Sequence, residues 1–231
     1  MKYKIDCQPG YSYLEVELDV SESISSESGA MAWMDPEIEM ETSTRGGVFQ
    51  GLKRALLSGE SFFQNTYTTQ SSGARVSLAP GPAGAIVARE MNGEELFLQK
   101  GAYLASIGDI QIDTKFDGLR GFFNEGLFIL RCSGTGTLFF NAYGDIQEVE
   151  VDGEYLVDNG YAVAWEPSLD YRLTRARKIR SFLFGDQLLL RFSGRGKVWV
   201  QSRCPHAFAS WVHPYRRKKQ KSNNSRPVGD H

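Results

Sequence analysis

The residues in this chain best suited to hold a metal or attack a substrate are its three histidines and three cysteines. Cys204, His206 and His213 stand close together and could share a metal ion. Their C-x-H-x6-H spacing matches no known zinc pattern, however, and the plainer reading is a C-terminal loop. With His231, every histidine falls near the end of the chain, so a metal site inside a β-barrel, built from two or three histidines and a carboxylate, has no ligands to use. Cys132 lies in RCSGTGTLFFN at 131–141, and a similar stretch, RFSGRGKVWVQ at 191–201, puts Phe192 at the same place. A position that accepts either residue asks for an apolar filler, which predicts a buried, unreactive thiol.

Other patterns also divide between chemistry and structure. Gly194-x-Gly196 with Lys197 resembles a phosphate loop, but it lacks the Walker length and runs into the strand-like Val198-Trp199-Val200 instead of a helix, so a hairpin turn is expected. Glu60, Glu125 and Asp186 sit near the start of three comparable blocks. They could line a shared axis as acids or a cation site, and the plainer alternative is that each accepts backbone N–H bonds at a turn. Arg172, Arg175, Arg177, Lys178 and Arg180 offer contacts to phosphate. Because Tyr171, Leu173 and Ile179 interleave with them at strand spacing, they also read as one solvated strand face.

The elements that must position these residues are strands. The two Ser-Gly-x-Gly stretches are each flanked by alternating residues and predict strand, tight glycine turn, strand. A second pattern recurs three times: GAMAWMDPEIEMET at 29–42, KGAYLASIGDIQIDT at 100–114 and NGYAVAWEPSLDYRLT at 159–174. Aligning them matches Ala32-Trp33 with Ala105-Ser106 and Ala164-Trp165, and Ile38 and Met40 with Ile110 and Ile112 and with Leu169 and Tyr171. Each copy follows a strand (14–20, 95–99, 147–157) and precedes a second block (58–69, 125–141, 185–201). The expected architecture is therefore all-β: three related units at about 1–80, 81–145 and 146–205, arranged with pseudo-threefold symmetry as a β-roll or double-stranded β-helix. In the first strand Leu14, Val16, Leu18 and Val20 alternate with acidic residues, which predicts one buried and one acidic face.

One helix is expected, near 48–57, where Phe49, Leu52 and Leu56 fall on one side and Lys53 and Arg54 on the other. That stripe can pack on the sheet or touch a membrane or partner. After a last short apolar segment at 207–212, the basic run RRKKQK at 216–221 opens a polar extension expected to be disordered. Composition sets the outer limits. The chain has 231 residues, 41% hydrophobic, 24 of them glycine, with a net charge of −2. It can bury a sizeable core, and as a whole it has no electrostatic pull toward nucleic acid or anionic lipid. Three scattered cysteines make no disulfide framework, and no apolar run of membrane-spanning length occurs, which points to the cytoplasm.

GAMAWMDPEIEMET, GGVFQGLKRALLSGESFFQNTY at 46–67, LQKGAYLAS at 98–106, YLVDNGYAVAW at 155–165 and GKVWVQSR at 196–203 occur in an order that resembles the "altered inheritance of mitochondria" family of mitochondrial-biogenesis proteins. The resemblance runs from about residue 3 to 203 and is of the prokaryotic type. It implies a fold akin to the tryptophan RNA-binding attenuation protein, a tendency to oligomerise, and nothing catalytic. Fungal relatives are linked to inner-membrane organisation. Two features depart from the pattern: the basic extension after Val212, and Asn124-Glu125-Gly126 where Gly-Glu-Gly is expected. The resulting expectation is a non-enzymatic scaffold or interaction protein with protein partners, self-association and no cofactor. The alternatives are a membrane-surface organiser acting through 48–57 and a nucleic-acid binder acting through 172–180.

Overall fold

The computed structural model describes residues 1–43, 64–99, 101–115, 129–175 and 188–216. Strand β1 (Lys2–Asp6) precedes a first stretch made of β2 (Tyr13–Leu18), β3 (Ser23–Glu27), β4 (Met31–Met34), β5 (Ile38–Ser43), β6 (Gln64–Thr69) and β7 (Ala74–Leu78). The second stretch has three long strands, β8 (Ile86–Gln99), β9 (Tyr103–Lys115) and β10 (Ile129–Asn141). The third has β11 (Ile146–Asp158), β12 (Ala162–Trp165), β13 (Leu169–Arg175) and β14 (Leu188–Gln201), followed by helix α1 (Pro205–Val212) and a 3₁₀ turn (His213–Tyr215). The fold is all-β. No helix of the described residues is long and apolar enough to cross a membrane.

One sheet has the order β1-β2-β7-β4, and the other runs β11-β14-β12-β8-β10-β9-β3-β6-β5, with β13 also on β14. In every stretch the last strand lies between the other two: β10 between β8 and β9, β14 between β11 and β12–β13, and β7 with β6 between β2–β3 and β4–β5. All three stretches are antiparallel and carry a bulge at a corresponding place. Ala32, Leu104 and Val163 are the extra residues in the pairings of β4 with β7, β9 with β10 and β12 with β14. The closing hydrogen bond also recurs: the N–H groups of Ala79, Asn141 and Gln201 donate to the carbonyls of Ala30, Ala102 and Tyr161 at 2.8, 2.7 and 2.9 Å.

Period-two patterning explains which faces are buried. Leu14, Val16 and Leu18 are fully buried and alternate with half-buried Tyr13, Glu15 and Glu17, while Val20 lies beyond the strand and is exposed. Leu130, Cys132, Phe140, Leu190 and Phe192 are fully buried as expected, whereas Val200 is only half-buried. Each such Leu or Phe stabilises the fold by roughly 1.5–3 kcal/mol. Three apolar clusters result, one under each stretch, and each takes in residues of an adjoining stretch: Phe139 joins the first, Trp199 the second and Phe97 the third.

Several expectations need correction. The Ser-Gly-x-Gly stretches are not hairpin turns, because β10 and β14 run straight through them. The glycines serve a close crossing instead. Gly134 and Gly136 have φ of +124° and +148°, and a Cβ there would stand 2.1 Å from the Asp109 carbonyl oxygen and 2.0 Å from that of Ile107. The strand expected at 95–99 starts at Ile86, well before residue 95. By strand pairing it is Trp33 and Met34, not Ala32 and Trp33, that take the register positions of Ala105-Ser106 and Ala164-Trp165. The segment at 205–212 is an α-helix where a loop or a short apolar segment was expected. The helix expected near 48–57 and the extension from 217 lie outside the described residues.

Replacing Gly136 with Ala adds a backbone collision to an unfavourable φ, whereas Gly153, at φ +109°, has open space where a Cβ would go. Urea unfolding should show a loss of about 1–3 kcal/mol for Gly153→Ala and a clearly larger one for Gly136→Ala. Equal losses would mean that the β9–β10 approach is not tight.

Candidate functional site

A cleft of about 420 Å³ opens where the ends of β8, β10 and β14 meet the start of α1. Side-chain amides dominate its polar lining, and each is already engaged. Gln201 Nε2 donates to the Gly160 carbonyl at 2.9 Å, and Asn141 Nδ2 donates to the Gly101 carbonyl at 3.3 Å, the corresponding contact in the second stretch. Gln201 Oε1 accepts the Tyr143 N–H at 2.8 Å. Gln99 Nε2 donates to both the carbonyl and Oδ1 of Asn159, at 2.7 and 2.9 Å. These amides sit at strand ends, where backbone groups leave the ladder and need other partners.

Cys204, Pro205 and His206 form the remaining wall. Cys204 is buried, and its carbonyl accepts the Phe208 N–H at 3.0 Å in the first turn of α1. A Cβ at Gly160 would lie 2.4 Å from Cys204 Sγ, so only glycine fits there without displacing the thiol. His206 is exposed, and no hydrogen bond joins it to Cys204 among the described residues. Among the described residues, no Asp, Glu, Lys or Arg lines the cleft.

The other residues singled out from sequence are dispersed. No group of three metal-ligating side chains occurs among the described residues. Cys132 is fully buried, and loss of solvation, aided by the Asp113 charge, pushes its thiol up to about 12, as befits a filler. Lys197 is paired with Glu148, which raises its ammonium pKa and engages the cation that a phosphate loop would need. Arg172 is exposed on β13 opposite Arg191, while Arg175 ends that strand. Arg177, Lys178 and Arg180 lie outside the described residues, as do Glu60, Glu125 and Asp186 and the stripe of Phe49, Leu52, Lys53, Arg54 and Leu56.

Sequence reasoning missed the amide set and one charged cluster. Arg89 lies 5.0 Å over the Trp199 ring and 3.5 Å from Glu166, joining the second and third stretches. Glu166 in turn accepts the Lys197 N–H at 3.1 Å, and Asp35 accepts the Arg75 N–H in the same way at 2.9 Å. The available signal was the recurring amide, Asn141 and Gln201, at the end of the two similar stretches.

Residues 3–203 match the family described as mitochondrial biogenesis AIM24. The chain belongs to that family. It is 29% identical over 226 residues to an uncharacterised protein of Streptococcus pyogenes serotype M6, a match covering 93% of this chain and 91% of the relative. The crystal structure of a Streptococcus pyogenes protein superposes with a TM-score of 0.78 at 28% identity, covering 93% of this chain and 99% of that one. The AIM24 match ends at residue 203, so the strands and the amides of the cleft fall within it, while α1 follows it.

Two outcomes check this site. A thiol reagent should modify exposed Cys7 readily in the folded protein and reach Cys132 only on unfolding. Gln201→Leu strands the Tyr143 N–H and Gly160 carbonyl and should cost about 1–3 kcal/mol by chemical denaturation.

Proposed function

We propose that the three stretches are copies of one unit, and that the protein is a non-enzymatic cytoplasmic scaffold whose molecules join head to tail through β4 and β11, each an edge strand among the described residues. The support is a pairing rule inside the chain. The first strand of one copy lies against the second strand of the next: Ser26 opposite Ala105, and Leu98 opposite Ala164. At those two junctions Ala105 and Ala164 are fully buried. Among the described residues, β4 pairs only with β7 and β11 only with β14, so the first copy's second strand and the last copy's first strand lack that neighbour.

Exposure at these two edges carries the reading. Trp33, at the position of Ala105 and Ala164, is 52% exposed. Leu156, at the position of Phe97, is 50% exposed where Phe97 is 7% exposed. Large apolar side chains on unpaired edges mark a surface made for another strand. Carried across two molecules, the internal rule sets Val157 opposite Trp33 and Leu156 opposite Met34. Such a heterologous contact builds a ring if the rotation closes and a filament if it does not.

A Cys7→Ser background with Trp33→Cys and Val157→Cys tests this. Mild oxidation should give a ladder of disulfide-linked multimers, since directly opposed strand residues come within disulfide range. Leu156→Lys should cut self-association at least tenfold by light scattering without changing the melting temperature. A fast-migrating monomeric disulfide, or a monomer at every concentration, would overturn the reading.

A further inference from the structure

The C-terminal helix α1 presents an apolar stripe to solvent. Phe208, Trp211, Val212 and Tyr215 fall at i, i+3, i+4 and i+7, and they are 49%, 65%, 37% and 77% exposed. No residue of α1 or of the 3₁₀ turn is buried. In ordinary core packing the stripe of an amphipathic helix is the covered face. The rings form a row leading out from the body: Tyr143 to Phe208 at 6.0 Å, Phe208 to Trp211 at 6.0 Å and Trp211 to Tyr215 at 5.9 Å. Directly after the row the sequence reads Arg216-Arg217-Lys218-Lys219-Gln220-Lys221.

We infer that the aromatic row of α1 docks on an anionic membrane surface at headgroup depth, the positive charge of the sequence at 216–221 favouring anionic lipid. An eight-residue helix is about 12 Å long, far short of a bilayer core of about 30 Å, so it lies on the surface and does not span. Trp and Tyr favour that depth because they combine an apolar ring with a polar edge. A basic segment beside an amphipathic helix is drawn to anionic lipid.

Charge distribution favours a membrane over nucleic acid. The whole chain carries −2 although five of the six residues at 216–221 are cationic, so the remainder is net acidic. A polyanion reaching past the basic run would meet that net negative charge, whereas a bilayer can be engaged by the row and the run alone.

The test is sedimentation of the full chain with phosphatidylcholine vesicles, with and without phosphatidylglycerol, at low and high salt. The protein should pellet with the anionic vesicles at low salt, shift its tryptophan emission to the blue, and bind much less to phosphatidylcholine alone. Trp211→Ser with Tyr215→Ser should weaken binding at least tenfold, as should Arg216, Arg217, Lys218 and Lys219 changed together to Gln, both with unchanged melting temperature. Leu156→Lys, which lies on the sheet edge, should still pellet, so failure here is separable from failure of the head-to-tail reading. Absence of anionic-vesicle binding, equal binding by all variants, or salt-sensitive capture of a single-stranded oligonucleotide in place of vesicles would each overturn the proposal.

Discussion

Backbone hydrogen bonding along the central strands is the constraint on which the rest of the fold depends. A strand paired on both edges has no N–H or C=O left for water, so its neighbours must keep register along its whole length. Strand β10 meets this with β8 on one side and β9 on the other, and β14 does so with β11 and with β12 and β13. Since the fully buried Cys132, Leu138, Phe140, Phe192 and Val198 hang from these two strands, a slip of one residue would turn the core face toward solvent. Burial and register therefore enforce each other.

Long strands packed this tightly need relief, and it recurs at fixed places. Glycines at 134 and 136 let β10 pass within a backbone's width of β9. In the first stretch the same passage is made by breaking the strands, so that β2, β4 and β7 belong to one sheet and β3, β5 and β6 to the other. The ion pairs follow this register without directing it. Arg131 meets Glu95 and Arg191 meets Glu154 at corresponding positions, yet all four are substantially exposed, and pairs of that kind add at most about 1 kcal/mol.

The polar groups of the cleft have the same architectural origin. Where β10 and β14 end, Asn141 and Gln201 reach the carbonyls of Gly101 and Gly160 and so close the turns before β9 and β12. The amides that line the cleft beside α1 are there because they make these strand-end contacts. The exposed apolar groups lie elsewhere, at the sheet edges and on α1, and those surfaces support readings of assembly and docking more than of turnover.

The sequence by itself determined the all-β class, the burial of Cys132 and Phe192, and the AIM24 resemblance from residue 3 to 203, because each rests on local patterning or direct likeness. The buried thiol was legible for the same reason, since a position that alternates between Cys and Phe has only burial in common. Tertiary structure alone decided that Ser-Gly-x-Gly sits in mid-strand. A glycine at positive φ suits a hairpin and a crossing equally well, and only the presence of β9 at the same height selects between them. It also decided which residue stands opposite β7: Trp33 pairs with Ser77, one place from the Ala32 of the sequence alignment, although the bulge itself recurs in all three stretches. Which strand edges pair, and which amides meet across the cleft, likewise depend on residues far away in the chain, for example Gln99 with Asn159. Such pairings are set by how the sheets close on one another, and a reading along the chain contains no term for that.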